Sequence, residues 1–251
     1  MRQDKHEFTA DELAELDARL YSQADRVVPM RDVWKGDTGP RVLALRHDVD
    51  DNRDSFETAL RMAEWERDHG YSSTYFLLHG SSYWTAENLV RALAFEELGH
   101  EVGIHVNAIA VALRERRSPE WILLEALGDL RSVGLRIDGC VAHGDELCGD
   151  GFGGVRFVND EMFIECARPS LGAAVRDISH KGTTVRIEPQ HLSDFHLGYD
   201  ANWLPRGRYL SDSGSMWRDS FDEVVDWFGT GQLHINTHSD WWAKAFAAVA
   251  A

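Results

Sequence analysis

Cysteine is scarce in this chain. Cys140, Cys148 and Cys166 are the only three in 251 residues, at irregular spacing. An odd number without a repeating interval argues against a disulfide framework. Cys140 and Cys148 lack the CxxC spacing of a structural zinc site, so metal binding by that pair is a minor alternative to plain burial. Positive charge is also short: 26 Lys plus Arg face 42 Asp plus Glu, a formal net charge of −16. Such a surface repels phosphate backbones, which argues against nucleic acid and anionic membranes and suits neutral or cationic small substrates. No apolar run reaches the roughly 20 residues that a bilayer requires, so no membrane insertion is expected. No apolar segment follows Met1-Arg2-Gln3-Asp4-Lys5-His6-Glu7, and the expected location is the cytoplasm. Internal repeats, low-complexity tracts and obvious linkers are absent.

What remains is a composition suited to a folded core, 43% hydrophobic with nine Trp. Residues 9–25 carry a helix signal: Thr9 as N-cap, Glu12 three residues later as a capping box, then Leu13, Leu16 and Leu20 at helical spacing. Residues 1–40 are read as an N-terminal helical extension, and 41–251 as a single domain. From Arg41 the pattern alternates. Val42–Leu45 is a continuous apolar run, as expected of a strand buried on both faces. Residues 53–68 turn to helical period, with Phe56, Ala59, Leu60 and Ala63 on one face, Asp51 or Asn52 as cap and Gly70 as stop. Strands are expected at 73–78, 101–104, 139–142 and 233–237, and helices at 86–98, 119–133 and 221–229. Residues 145–219 are irregular and hold later strands joined by long loops. Alternating strands and helices with short connections predict βα units and a parallel sheet.

In a parallel barrel, functional groups gather at the carboxyl ends of strands. Those ends read His47-Asp48-Val49-Asp50, His79, His105-Val106-Asn107, His143-Gly144-Asp145 and His238-Ser239-Asp240. Each carries a histidine, although the whole chain has only 12. In extended backbone Asp48 and Asp50 face one way, and His47 and Val49 the other. Two carboxylates held together need a cation, a shared proton or strong hydrogen bonds, and His nitrogen with carboxylate oxygen suits zinc. Plainer roles stand beside this one. His79 reads as a rim residue, and His47 as a backbone contact or an outward-packing ring. His180, His191 and His196 are substrate contacts or bystanders. Trp217, Trp241 and Trp242 are candidates to stack on sugars.

The run Gly99-His100-Glu101-Val102-Gly103-Ile104-His105 resembles the Gly-His-Glu-(apolar)-Gly-x-His motif of the polysaccharide deacetylase family, carbohydrate esterase family 4. Arg46-His47-Asp48-Val49-Asp50 resembles the branch whose two aspartates are separated by one residue. Ser73-Thr74-Tyr75-Phe76, Tyr209-Leu210-Ser211-Asp212-Ser213-Gly214 and Asn236-Thr237-His238 are similar to its other motifs, so the likeness runs from about 41 to 242. The resemblance implies an α/β fold, a distorted (β/α)7 barrel. It also implies a divalent metal, zinc foremost, with Asp50 and His105 as ligands, Asp48 as general base and His238 as the acid that protonates the leaving amine. The family's second metal histidine falls at position 109, which is Ile109, and its fourth-strand Arg-x-Pro motif is absent. The third ligand is then His143, which ends the fourth strand before Gly144, or Asn107.

The expected function is a metal-dependent hydrolase that removes an acyl group, N-acetyl foremost, from an amino sugar or glycan precursor, in a setting such as surface-polysaccharide biosynthesis. Two alternatives stand beside it. One is a carbohydrate-binding or scaffolding descendant that kept the barrel and lost the metal. The other is a hydrolase of a non-sugar amide such as a cyclic ureide or imide. The oligomeric state is not encoded in any pattern of the chain.

Overall fold

The computed structural model describes residues 6–51, 54–145, 158–166 and 173–249. Asn52 and Cys148, considered above, lie outside the described residues. The elements run α1 (Ala10–Leu16, continued by a π-helical turn Asp17–Tyr21), β1 (Arg26–Val28), α2 (Met30–Trp34), β2 (Val42–Val49), α3 (Ser55–Asp68) and β3 (Thr74–Leu78). Then come α4 (Ala86–Arg91), α5 (Leu93–Glu97), β4 (Glu101–Val106), α6 (Ala108–Glu115), α7 (Pro119–Ser132) and β5 (Gly139–Ala142). The rest is β6 (Arg176–His180), β7 (Thr183–Ile187), β8 (Tyr199–Asp200), β9 (Arg208–Ser211), α8 (Phe221–Trp227), β10 (Leu233–His238) and α9 (Ala243–Val249).

The main sheet follows the path β8-β5-β4-β3-β2-β10-β9, with β1 alongside β2. Every pairing described within it is parallel. A mixed α/β chain with a seven-strand parallel path is compatible with a barrel-like fold. Two compact units make up the chain: Met1–Leu77 with Ala94–Val102 and Leu204–Ala251, and Leu78–Leu93 with Gly103–Trp203.

In the first unit, β2 is buried along its whole length, as its unbroken apolar start predicts. The capping box forms as expected: the Glu12 N–H donates to Thr9 Oγ1 at 3.3 Å, and the Thr9 N–H to Glu12 Oε2 at 2.8 Å. The helix that follows is shorter than the expected 9–25, and the 1–40 segment also contributes β1, in parallel register with Val42–Ala44. A three-residue strand is too short for alternation to reveal it. The N-cap position of helix α3 is held by Asp54, in left-handed conformation, and not by Asp51. It ends in a Schellman turn: Gly70 (φ 78) donates to the Arg67 carbonyl at 3.0 Å and Tyr71 to that of Glu66 at 2.8 Å. That left-handed step is cheap only for glycine.

The second unit holds α6, an apolar helix buried from Ala108 to Leu113. It has no polar face, so periodicity gives no sign of it. Gly139 opens β5 where a Cβ would lie 2.2 Å from the Tyr199 ring, and only glycine allows β8 to pair there. The helix expected over 86–98 is two helices, α4 and α5, separated at Ala92. Within the irregular middle, β6 and β7 form an antiparallel hairpin outside the main sheet.

Candidate functional site

The register of β2 and β10 sets His238 opposite Asp48, Thr237 opposite His47 and Asn236 opposite Arg46. Partners in register share a face, so three polar side chains converge on one carboxylate oxygen. Asn236 Nδ2 donates to Asp48 Oδ2 at 3.0 Å, an Arg46 guanidinium nitrogen lies 3.7 Å from it, and His238 Nε2 lies 4.0 Å away. Asp48 is only 4% exposed and Arg46 likewise. A carboxylate this deep is costly to bury without such donors and cations beside it.

His238 is held from behind. Its Nδ1–H donates to Asp212 Oδ1 at 2.6 Å, and its backbone N–H meets both Asp212 oxygens at 3.1 Å. Trp242 Nε1–H donates to Asp212 Oδ2 at 2.8 Å. Burial by itself depresses the imidazole pKa; the Asp212 carboxylate outweighs it, Asp50 and Asp48 add to the effect, and the pKa is raised to about 10. The raised pKa favours the charged ring at neutral pH, and Nδ1 is committed to Asp212. Asp240 behaves oppositely: burial first and Asp50 second push its carboxyl up to about 7.

In the second unit, β4 and β5 pair with His105 opposite Val141. His105 Nδ1 faces the Val141 carbonyl at 3.1 Å. A carbonyl only accepts, so Nδ1 carries the hydrogen and Nε2 keeps its lone pair. His143 Nδ1 stands 3.1 Å from that Nε2. Two imidazole nitrogens on one tetrahedral zinc are about 3.3 Å apart, so the pair already has the spacing of shared ligation. A ligating histidine commonly donates its other N–H to a carbonyl, as His105 does. Asp50, His105 and His143 are the candidate metal ligands among the described residues. The donor set, two imidazoles and one carboxylate, could hold a metal ion.

The two candidates for third ligand thus separate. Asn107 donates through Nδ2 to Asp145 at 3.0 Å, and its Oδ1 accepts from Asn159 at 3.2 Å, so both ends of its amide are engaged. Ile109 is fully buried in α6.

Other expectations are corrected. His47 neither meets the backbone nor packs outward: its Nε2–H donates to Glu66 Oε1 at 2.7 Å, Nδ1 meets Thr237 Oγ1 at 2.6 Å, and the ring stacks on Tyr75. Trp242 is buried, stacked on Phe8 with ring centres 4.3 Å apart, and Trp217 packs against Phe8 and Phe221. Trp242 and Trp241 are therefore buried and not free to stack on a sugar, whereas Trp217 stays part-exposed. Trp203, beyond β8, is half-exposed. His79 packs edge-on against Trp84, with its pKa lowered by burial. His191 pairs with Glu165 on the surface. His180 ends the hairpin strand β6, and His196 caps a 3-10 turn.

Four contributors carry no role in the sequence reading: Arg46, Asp212, Asn236 and Asn159. The first three sit inside the quoted motifs, so their positions were visible though their partners were not. Nothing local marks Asn159.

The class defined by fold and site is an α/β protein with a parallel sheet, a carboxylate and an imidazole facing each other on β2 and β10, and candidate metal ligands. Comparison with known protein families and with curated proteins finds no match to this chain. No helix among the described residues is long and apolar enough to cross a membrane.

Proposed function

We propose that this chain is a metal-dependent amide hydrolase of the polysaccharide deacetylase type, removing an N-acetyl group from an amino sugar or glycan precursor. The observation that carries the reading is the His105–His143 pair, with ring nitrogens 3.1 Å apart; Asp50 completes the candidate group of three metal ligands. A divalent metal held by those three residues, zinc by its donor set, supplies Lewis-acid polarisation of the acyl carbonyl and a more acidic water.

The remaining chemistry belongs to the chain. Asp48 takes the proton of the attacking water, its charge maintained by Arg46 and Asn236. His238 Nε2 gives a proton to the departing nitrogen, which is otherwise a poor leaving group. The C–N bond breaks, and acetate and the free amine leave. Asp212 fixes the orientation of His238 and its charge before the reaction begins. A cytoplasmic setting suits a nucleotide- or lipid-linked precursor in surface-polysaccharide assembly.

The test is acetate release from N-acetylated amino sugars by protein purified without chelators, with its metal content measured in parallel. Hydrolysis of cyclic ureides or imides alone would reject the sugar assignment. A second reading, a carbohydrate-binding descendant without catalysis, is favoured by the buried Ile109 at the position of the family's second histidine. Bound metal below about a tenth of an equivalent, with no rescue by zinc or cobalt, would reject the hydrolase reading.

A further inference from the structure

Asn159 is fully enclosed, in the 3-10 turn Val158–Met162. A buried amide must find partners for both its ends, and those partners show what it holds. Its Oδ1 accepts the backbone N–H of Ile109 at 3.0 Å, at the first turn of α6. Its Nδ2 donates to the backbone carbonyl of His143 at 2.8 Å and to Asn107 Oδ1 at 3.2 Å. The Asn107 amide in turn reaches Asp145 at 3.0 Å, which also accepts from Arg114 at 2.7 and 2.6 Å.

His143 lies one residue beyond β5, where regular ladder bonding stops. Its N–H still reaches the Val106 carbonyl at 2.9 Å. The carbonyl is held by Asn159. With both backbone groups of His143 fixed, its Nδ1 is held 3.1 Å from His105 Nε2. The same amide binds the main chain at position 109, where the resembled family keeps its second histidine. One side chain therefore ties the substituting histidine to the place of the one that is missing.

We propose that Asn159 is the positioning residue that makes His143 a metal ligand. The proposal rests on the metal site of the proposed function. Orientation of a ligand from outside the coordination sphere commonly changes metal affinity about 10- to 100-fold. Nδ2 is the critical atom, because only a donor can hold the His143 carbonyl.

The experiment measures zinc affinity of the full chain by competition with a chromophoric chelator. Apo thermal melts and cobalt absorption spectra are recorded alongside. Asn159→Ala and Asn159→Leu, neither of which can donate to the carbonyl, should each lose about 10- to 100-fold in affinity, with weakened cobalt bands and a cooperative apo melt. Asn107→Ala removes another partner of the same amide but leaves its bond to His143, and should keep near-wild-type affinity. Equal losses in the Asn107 and Asn159 variants would make the cluster a general scaffold and overturn the proposal. If the Asn159 variants do not fold, the wild type provides the readout: zinc should slow hydrogen exchange at the Ile109 amide, and unchanged exchange overturns it. A wild type that takes up no zinc defeats the proposed metal site as well. Uptake with unaltered affinity in Asn159→Ala defeats the role of Asn159 alone.

Discussion

Asp212 grips His238 at two points, accepting its ring Nδ1–H at 2.6 Å and its backbone N–H at 3.1 Å. One buried carboxylate therefore sets both where the imidazole stands and whether it is charged. Asp212→Asn should bring the His238 pKa down from about 10 toward the ordinary histidine range. The alkaline limb of the rate profile should move to lower pH, and turnover near neutrality should fall by about 10²-fold. A limb that stays in place would show that His238 is not the proton donor.

The same pair has a stability signature. The folded pKa of His238 is raised, so the folded state holds its proton more tightly than the unfolded chain does. That stabilisation is fully present below the ordinary histidine pKa of about 6.5. It is lost progressively as pH rises toward about 10. Denaturant melts across this window should show stability falling, and Asp212→Asn should flatten the slope.

Asp48 and Asp50 are separated by one residue and given different roles. Asp48→Asn should abolish turnover while metal stays bound, whereas Asp50→Ala should lose the metal. Equal metal loss in both variants would mean that the roles are assigned wrongly. Metal analysis with turnover on the same samples separates the cases.

Metal binding should itself stabilise the fold. Free zinc at 100 times its Kd adds about 2.7 kcal/mol, which for a chain of this size raises Tm by roughly 5–10 °C. His143→Ala should remove most of that zinc-dependent shift. A shift retained in full would exclude His143 from the site.

Glu66 anchors a separate buried network on the other face of β2. It accepts from His47 at 2.7 Å, Ser73 at 2.6 Å and Tyr75 at 2.9 Å. Burial opposes its charge, but His47 and these donors prevail and hold its pKa below the usual glutamate value. Its contribution is present above the ordinary carboxylate range and is lost as pH falls through the lowered pKa. Glu66→Ala leaves His47 and two hydroxyls without their acceptor, and should cost about 3–5 kcal/mol in urea melts with little change in zinc affinity. A loss below about 1 kcal/mol, in the range of an exposed ion pair, would show the network to be dispensable.

Much of this architecture could be read in the chain itself. The Thr9–Glu12 capping box, the apolar run at Val42, the stop at Gly70 and the placement of Asp48, Asp50, His105, His143 and His238 at strand ends all follow from residues close together in sequence. Local backbone geometry sets those patterns, so a local reading recovers them. Helix α6 and strand β1 escaped because one is apolar all round and the other too short to alternate. The choice of partner for each buried polar group was decided by tertiary structure alone. His47 finds Glu66 across 19 positions, His238 finds Asp212 across 26, and Asn159 finds Ile109 across 50. Burial makes an unmatched polar group costly, but it does not name the match. The match is decided by which strands lie side by side and in which register, and so the sequence could supply the histidines and aspartates of the site while only the folded chain determined which of them work together.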